Sequence, residues 1–262
     1  MTFLVVPQWQ GSPSSRAMRL AEGAEAIRAD LPAAATRVVE VPLEAGDAQG
    51  TGIARFGSLR LVRERMAEAL AAATAPVVVI GGDCAVSAAA IAHVAGPELA
   101  VVWFDAHPDL NTPATSPSGA GSGMVLANLI EEGSVEARRT LVVGARAWDA
   151  SEQRFAAERG VAALGVDALA DAEAIADAVA ATGATRVYVH LDLDVLDPSE
   201  FAGLLDPMPF GATAAQLVAA IRALLARIPL AGATIASFAP ESAEAAGDDA
   251  PTILRLIAAL RA

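Results

Sequence analysis

The stretch AVVWFDAHPDLNTP, residues 100–113, joins an apolar run to three polar side chains at alternating positions. The run that ends at Phe104 is typical of a buried strand, and it continues directly into Asp105, His107 and Asp109. An unpaired buried charge is very costly, so acids at the end of an apolar strand need partners. The stretch therefore predicts a buried strand that ends at a site for a cation, which is an arginine, a substrate amine or a metal ion.

Outward from this stretch, short β-branched or aromatic runs alternate with alanine-rich helical stretches along the whole chain. This alternation predicts an α/β fold in which a parallel sheet is covered by helices on both faces, in one domain over residues 1–262. The predicted strands are Thr2–Val6, Thr36–Val41, Pro76–Ile80, Leu99–Phe104, Thr140–Val143, Val161–Leu164, Thr185–Leu191 and Ala233–Phe238. The predicted helices are Arg16–Ala29, Ser58–Ala73, Ala85–Val94, Ser122–Glu132, Ser151–Arg159, Asp167–Ala181, Thr213–Arg227 and Asp249–Leu260, with Thr213 and Asp249 as N-caps. Two longer loops are predicted after strand ends, Asn111–Gly121 and Asp194–Gly211.

Composition excludes several classes of function. The net charge of −13 over 262 residues argues against a nucleic-acid partner. The chain contains no lysine, which excludes a lysine Schiff base and a Walker-type phosphate loop. Its single cysteine, Cys84, forms no intramolecular disulfide. We find no signal-peptide pattern and no apolar run of roughly 18 residues that would span a membrane, so we expect a cytoplasmic protein.

Three acidic motifs each follow a predicted strand: VVVIGGDCAVS (77–87), the stretch above, and YVHLDLDVLDP (188–198). In the third, His190, Asp192 and Asp194 share one face of the strand. Asp83 in the first is also explained as an N-cap of the next helix. Parallel strands bring the acids of the other two motifs to one sheet edge, where they repel each other without a cation. The motifs together predict a metal centre at the strand ends.

In their residues and in their order along the chain, these three motifs resemble those of the arginase–agmatinase–formiminoglutamase family, and the resemblance runs over almost the whole chain. It implies a three-layer α/β/α fold with an eight-stranded parallel sheet, and a pair of Mn²⁺ ions at the strand ends. It also implies a homo-oligomer, a trimer or a hexamer, and a small guanidino or amidine substrate. The expected activity is metal-dependent hydrolysis of a C–N bond in such a linear compound.

The resemblance assigns roles to individual residues. Asp105 and Asp192 would bridge both metals, His107 and Asp194 would complete one metal site, and Asp109 would belong to the other. Asp109 would also carry a proton to the departing amine. The substrate-binding positions implied by the resemblance are Asn111, Ser116, Ser118 and Asp149.

The chain departs from the family pattern at three places. Cys84 stands where the family has a histidine ligand, so it is either a ligand that favours Zn²⁺ over Mn²⁺ or a small buried residue beside a site deficient in one metal. Ser122 stands where arginases carry a histidine that moves protons. Of the other histidines, His93 is expected to be structural, and His190 is expected to orient a ligand rather than to bind metal.

The third departure concerns recognition of the guanidinium group. The family's last strand delivers a glutamate, and the stretch IASFAPESAE (235–244) places Ala239 or Glu241 near that position, with Glu244 as a further choice. We take Glu241 as the catalytic-site candidate. The alternatives are a one-metal, zinc-type hydrolase on the same fold, a catalytically silent metal-binding member and, remotely, a transferase that uses its DxD pair.

Overall fold

A computed structural model describes residues 1–74 and 76–261 of the chain. Among these residues eight strands form one sheet: β1 (Thr2–Val6), β2 (Thr36–Val38), β3 (Val77–Gly81), β4 (Leu99–Phe104), β5 (Thr140–Val143), β6 (Ala162–Leu164), β7 (Arg186–Asp192) and β8 (Leu230–Ala236). Every pairing is parallel, and the order across the sheet is β2-β1-β3-β8-β7-β4-β5-β6. The predicted parallel eight-stranded sheet is confirmed.

Eight α-helices connect and cover the described strands. They are α1 (Met18–Ala29), α2 (Phe56–Ala71), α3 (Ser87–Val94), α4 (Val125–Glu131), α5 (Ala150–Arg159), α6 (Ala174–Ala181), α7 (Ala214–Arg227) and α8 (Ala243–Ala259). None of the helices in the described ranges combines the length and the apolar character that crossing a bilayer requires.

The core has two halves because successive strand residues point to opposite faces of the sheet. Phe104 packs on the side covered by α1, α6, α7 and α8, whereas Trp103 packs on the side covered by α2 to α5. Both aromatic side chains are fully buried. Asp105 follows Trp103 by two residues on its strand, so the same alternation directs the acids of β4 and β7 toward the α2–α5 side.

Several predicted boundaries differ from those observed. The strand predicted over Ala233–Phe238 is two or three residues displaced, since β8 ends at Ala236. Asp249 does not cap a helix: α8 begins at Ala243 behind the cap Ser242, and the Asp249 carboxylate accepts hydrogen bonds from a loop instead. Thr213 does cap α7, as predicted, in a reciprocal pair with Gln216.

Two further predicted segments differ from the observed ones, one in its interior and one at its start. The predicted helix Asp167–Ala181 is a 3-10 turn, Val166–Ala170, followed by α6. The predicted strand Pro76–Ile80 begins at Val77, one residue later than expected.

Candidate metal centre

The four central strands of the sheet bring the three acidic motifs together. In the order β3-β8-β7-β4, these strands all run in the same direction, so their carboxyl ends meet at one edge. Cys84 follows β3, Asp192 ends β7 and Asp105 follows β4. Ligands of open α/β sheets bind outside these carboxyl ends. The site therefore lies where the topology places most of the polar residues that the sequence singled out.

Two overlapping groups of possible metal ligands lie at this edge. Within each group, the ligand atoms all lie within 4.8 Å of one another. The first group consists of Cys84, Asp105, His190 and Asp192, and the second group consists of Asp105, His107 and Asp194. Asp105 is shared, as expected for a carboxylate between two ions.

Backbone donors hold the carboxylates of the cluster in place. The Ala106 N–H donates to Asp194 Oδ1 at 2.9 Å, and the Asp194 N–H donates to Asp192 Oδ1 at 2.9 Å. The His107 N–H donates to Asp105 Oδ1 at 2.6 Å, and the Trp103 indole donates to Oδ2 of the same carboxylate at 3.0 Å. These bonds orient one oxygen of each carboxylate and preorganise the cluster for a cation.

Burial and crowding disfavour ionisation of these carboxyl groups. Burial, followed by repulsion from neighbouring carboxylates, holds the pKa of Asp105, Asp109 and Asp192 well above the usual range. Burial acts in the same direction on Asp194, but the hydrogen bond and charge of His107 lower the pKa of Asp194 overall. Within the described residues, the carboxyl groups of the cluster outnumber the positively charged side chains that contact them.

His107 lies inside the second group. Its Nδ1 is 2.9 Å from Asp194 Oδ2 and 3.5 Å from Asp105 Oδ1. Burial lowers the pKa of His107, but bonding to the two carboxylates outweighs this effect and raises the pKa to about 12. Protonated His107 is therefore the positive partner of these two carboxylates within the described residues.

Asp109 contributes a fourth carboxylate at the floor of the cleft. It is buried, and its Oδ2 has no hydrogen-bond partner within the described residues. Its backbone has a φ of 52°, in the left-handed region, and its carbonyl accepts from the N–H groups of Leu126 and Ala127. An unpartnered buried oxygen and a strained backbone are both typical of functional positions.

Asp83 belongs to the structural frame, and its predicted capping role is confirmed. Its carboxylate accepts from Gln8 Nε2 at 2.9 Å, from the Gly11 N–H at 2.8 Å and from the Ala85 N–H at 2.9 Å. Burial raises the pKa of Asp83 to about 6 against the effect of these bonds. Gly82 precedes it because a Cβ there would lie 1.9 Å from the Gln8 carbonyl oxygen. The GGD motif thus joins the N-terminal loop to β3 and presents the next residue, Cys84, to the site.

A cleft of about 740 Å³ opens onto the two groups. All four predicted substrate-binding residues line it: Asn111, Ser116, Ser118 and Asp149. Asn111 Nδ2 donates to Asp149 Oδ2 at 2.8 Å, and the other oxygen of Asp149 caps α5 by accepting from the N–H groups of Ser151 and Glu152. The predicted loop Asn111–Gly121 therefore forms one wall of the cleft.

The family is established by comparison with known proteins. A model described as Arginase family matches residues 13–260. The chain belongs to the arginase family. The arginase of Bacillus caldovelox is 33% identical over 188 residues, which are 62% of this chain and 62% of that protein. An N(omega)-hydroxy-L-arginine amidinohydrolase of Streptomyces lavendulae is 32% identical over 69% of this chain and 67% of its own.

The fold agrees with this membership. The arginase of Entamoeba histolytica superposes with a TM-score of 0.86, covering 99% of this chain and 97% of that one at 21% identity. The sequence matches are less complete: the first relative is spanned over about three fifths of its length.

Glu241, expected from the arginase-family pattern at the last strand, lies outside the cleft. Its side chain is 79% exposed, and its nearest charged partner is Arg19, at 3.8 Å between Oε1 and Nη1. Ser237 occupies the end of β8 instead, because the strand stops at Ala236. The Ser237 hydroxyl donates to Asp192 Oδ2 and lies 3.7 Å from Cys84 Sγ. In this structure Glu241 does not line the cleft, so its assignment stays a prediction, and a hydroxyl stands at the place from which we expected a carboxylate.

The other departures from the family pattern are also located. Ser122 lines the cleft, and its hydroxyl donates to the Gly11 carbonyl at 3.0 Å. His93 is exposed on α3 and does not line the cleft. His190 is fully buried and belongs to the first group of ligands.

Sequence reasoning missed several residues that shape the cleft. Arg16 and Ser14 line it from the N-terminal loop, and Asp206 lines it from the predicted loop Asp194–Gly211. Arg146 is buried in part behind the second group, where its Nη2 donates to the Asp194 carbonyl at 2.9 Å. The sequence signal for Arg146 was weak, since an arginine in the stretch GARAWDAS (144–151) does not indicate which loops its side chain will contact.

Proposed function

We propose that this chain is a metal-dependent hydrolase of a C–N bond in a linear guanidino or amidino compound. The observation that carries the proposal is the buried cluster of four carboxylates around His107, at the floor of a cleft of about 740 Å³. Members of the arginase family are hydrolases that act on C–N bonds of such compounds. The expectations of a cytoplasmic location, a trimer or hexamer, and no nucleic-acid or membrane partner stay predictions.

The residues present fit divalent cations. The carboxylates and His107 are the ligand types that Mn²⁺ prefers, and the unpartnered Oδ2 of Asp109 points to a missing positive partner. We infer two ions, one for each group: Asp105, Asp192 and Asp194 would hold them together with His107, and Asp109 would add a further carboxylate. Bound cations of this kind supply the Lewis acidity that lowers the pKa of a water molecule toward neutrality.

Asp109 is our candidate for the proton transfer. Hydrolysis forms one C–O bond, breaks one C–N bond and moves a proton from the attacking water to the departing amine. Asp109 lines the cleft, where the carboxylate oxygen that does not hold a cation would accept that proton and then donate it. Ser122 cannot replace it, because a serine hydroxyl does not take up a proton near neutral pH.

The mouth of the cleft would orient the far end of the substrate. Asn111, Ser116 and Ser118 supply neutral donors and acceptors, Asp149 supplies a negative charge and Arg16 a positive one. Burial disfavours ionisation of Asp149, but the hydrogen bond from Asn111 keeps its pKa below the usual value. Compounds that carry an amine, a carboxylate or both at the end opposite the reacting group are therefore the first to screen.

A one-metal hydrolase is the second candidate. The second group, Asp105, His107 and Asp194, is complete without Cys84, and Asp192 lies beside it. Metal content per chain, measured by elemental analysis after reconstitution with Mn²⁺ or Zn²⁺, separates the two: two ions favour the first proposal and one ion favours the second.

The activity test uses the fully loaded protein and measures release of urea or ammonia from linear guanidino and amidino compounds. We expect Asp109→Asn to lower kcat by about 10²–10⁴-fold, the usual contribution of a general acid–base group. Asp248→Asn, an exposed acid on α8, is the matched control and should keep full activity. Absence of turnover by the metal-loaded wild type on every class of compound would instead support a silent binding protein.

A further inference from the structure

His190 is a buried imidazole with one free nitrogen. The side chain is fully buried on β7, and its ring stacks on Trp103 with 3.5 Å between ring centroids and 12° between planes. Its Nδ1 lies 2.8 Å from the Ser87 hydroxyl at the start of α3. Its Nε2 has no hydrogen-bond partner among residues 1–74 and 76–261. Stacking and the Ser87 contact fix the ring, so the direction of the free nitrogen is fixed as well.

That free nitrogen is aimed at the carboxylates of the cluster. Nε2 lies 3.9 Å from Asp105 Oδ2, too far for a hydrogen bond and near enough for both atoms to bind one ion. A buried polar nitrogen without a partner destabilises the fold, so its presence here requires an explanation. His190 and Asp192 share one face of β7 because they are two residues apart.

Cys84 approaches the same carboxylates from the segment that follows β3. It is buried, and its Sγ lies 2.8 Å from Asp192 Oδ2. With His190, Asp105 and Asp192 it offers one thiol, one imidazole and two carboxylates within 4.8 Å of one another. Zn²⁺ takes four ligands drawn from thiolate, imidazole and carboxylate groups, whereas Mn²⁺ prefers oxygen ligands and thiolate favours softer ions.

We propose that Cys84 and His190, with Asp105 and Asp192, form a thiol-containing site that selects Zn²⁺ or a similar thiophilic ion over Mn²⁺. The imidazole missing from the end of β3 is supplied from β7, while the second group keeps a ligand set suited to Mn²⁺. This inference rests on the metal centre of the proposed function and is independent of its substrate.

Cobalt spectroscopy of the metal-free full chain tests the thiol. Co²⁺ bound by a thiolate absorbs in the near ultraviolet through sulfur-to-metal charge transfer. We expect this band on titration of the wild type and its loss in Cys84→Ser. A wild type that binds Co²⁺ without the band would overturn the proposal.

Competition between Zn²⁺ and Mn²⁺ tests His190. We expect His190→Asn to weaken zinc binding at the first group by at least about tenfold, the lower end of what even an indirect partner of a metal contributes. His93→Asn, at the exposed histidine of α3, is the matched control and should bind as the wild type does. Unchanged zinc affinity in folded His190→Asn would contradict a ligand role.

A measurement that does not depend on the folding of that variant uses His107→Asn loaded with one equivalent of Zn²⁺. In this variant, X-ray absorption should show one sulfur neighbour at about 2.3 Å and imidazole scattering, which His190 alone supplies at the site. Scattering from oxygen only would overturn the inference. The X-ray absorption measurement does not depend on turnover. If it finds the zinc site while the separate activity assay finds no hydrolysis of guanidino compounds, the proposed function fails and this inference stands.

Discussion

The two groups of ligands share Asp105 but differ in chemistry. The second group contains two carboxylates and an imidazole, with short hydrogen bonds among them and an internal cation in protonated His107. The first group contains a thiol that contacts Asp192 and a neutral imidazole with a free nitrogen, since burial lowers the pKa of His190 to about 3. The second group is internally compensated without metal, whereas the first leaves a nitrogen unpaired.

Under the proposals above, this difference would let one sheet edge hold two sites with different metal preferences. The ligands of the second group come from β4 and β7 alone, whereas the first group also takes Cys84 from behind β3. A change at β3 or β8 therefore alters the first group and leaves the second in place. The following predictions use this separation.

The largest effect is expected where the two groups meet. Asp105→Asn removes the carboxylate common to both, so both metal sites should weaken together, by more than the roughly 10–100-fold that indirect partners contribute. Elemental analysis should find fewer than one ion per chain, and hydrolysis should fall by at least about 10³-fold. Loss of one ion with full retention of the other would show that the groups do not share Asp105.

The fold was predictable from the sequence where burial is continuous. The interiors of β1, β4 and β5 were predicted to the residue, because apolar runs bounded by polar residues coincide with the paired segment. The number of strands in the sheet followed from the resemblance, and the order of the strands was not predicted, since local pattern does not specify neighbours across a sheet.

The end of β8 shows why the site was less predictable than the fold. Its apolar run continues past the sheet, because Phe238 is still buried, against Phe201. Run length therefore overstated the strand and placed Ser237 inside it. The expected carboxylate at Glu241 came from the resemblance, which left Ala239 and Glu244 as further choices. Arg146 was missed for a related reason: its bonds join loops that are distant in sequence, and no local pattern reports them.

A second, intermediate effect is the pH dependence of the metal-free protein. The pKa values of Asp105, Asp109 and Asp192 are raised on folding, because burial and repulsion favour the protonated forms. Such groups stabilise the fold fully below the unfolded pKa of about 4 and lose that contribution as pH rises through the folded pKa. Asp194, with a lowered pKa, and His190, whose pKa falls to about 3, act in the opposite direction, whereas the contribution of His107 declines as pH rises from 6.5 toward 12.

Thermal unfolding in chelator should therefore give a Tm that falls between pH 4 and pH 8, since the three carboxyl groups with raised pKa values, joined by His107 above pH 6.5, outweigh Asp194 and His190. Added Zn²⁺ or Mn²⁺ should raise Tm more at pH 8 than at pH 5, because the metal binds the ionised carboxylates. Asp109→Asn should make the fall with pH shallower, and Asp248→Asn should not. A metal-free Tm that rises over the same range would contradict the raised pKa values.

The smallest effect separates Ser237 from Glu241. The Ser237 hydroxyl donates to Asp192 Oδ2 and lowers the pKa of that carboxyl, so Ser237→Ala should weaken the first group by about tenfold and leave Mn²⁺ binding at the second group unchanged. Glu241→Gln should change neither, because an exposed pair such as Glu241 with Arg19 contributes about 0–1 kcal/mol. For both variants, competition between Zn²⁺ and Mn²⁺ measures metal affinity at each group, and a kinetic assay measures the rate of hydrolysis. If Glu241→Gln proved the more damaging of the two, the loop after β8 would have to bring that carboxylate into the cleft when substrate binds. The difference in metal binding between the first and second groups would then depend on bound substrate as well as on the residues at the strand ends.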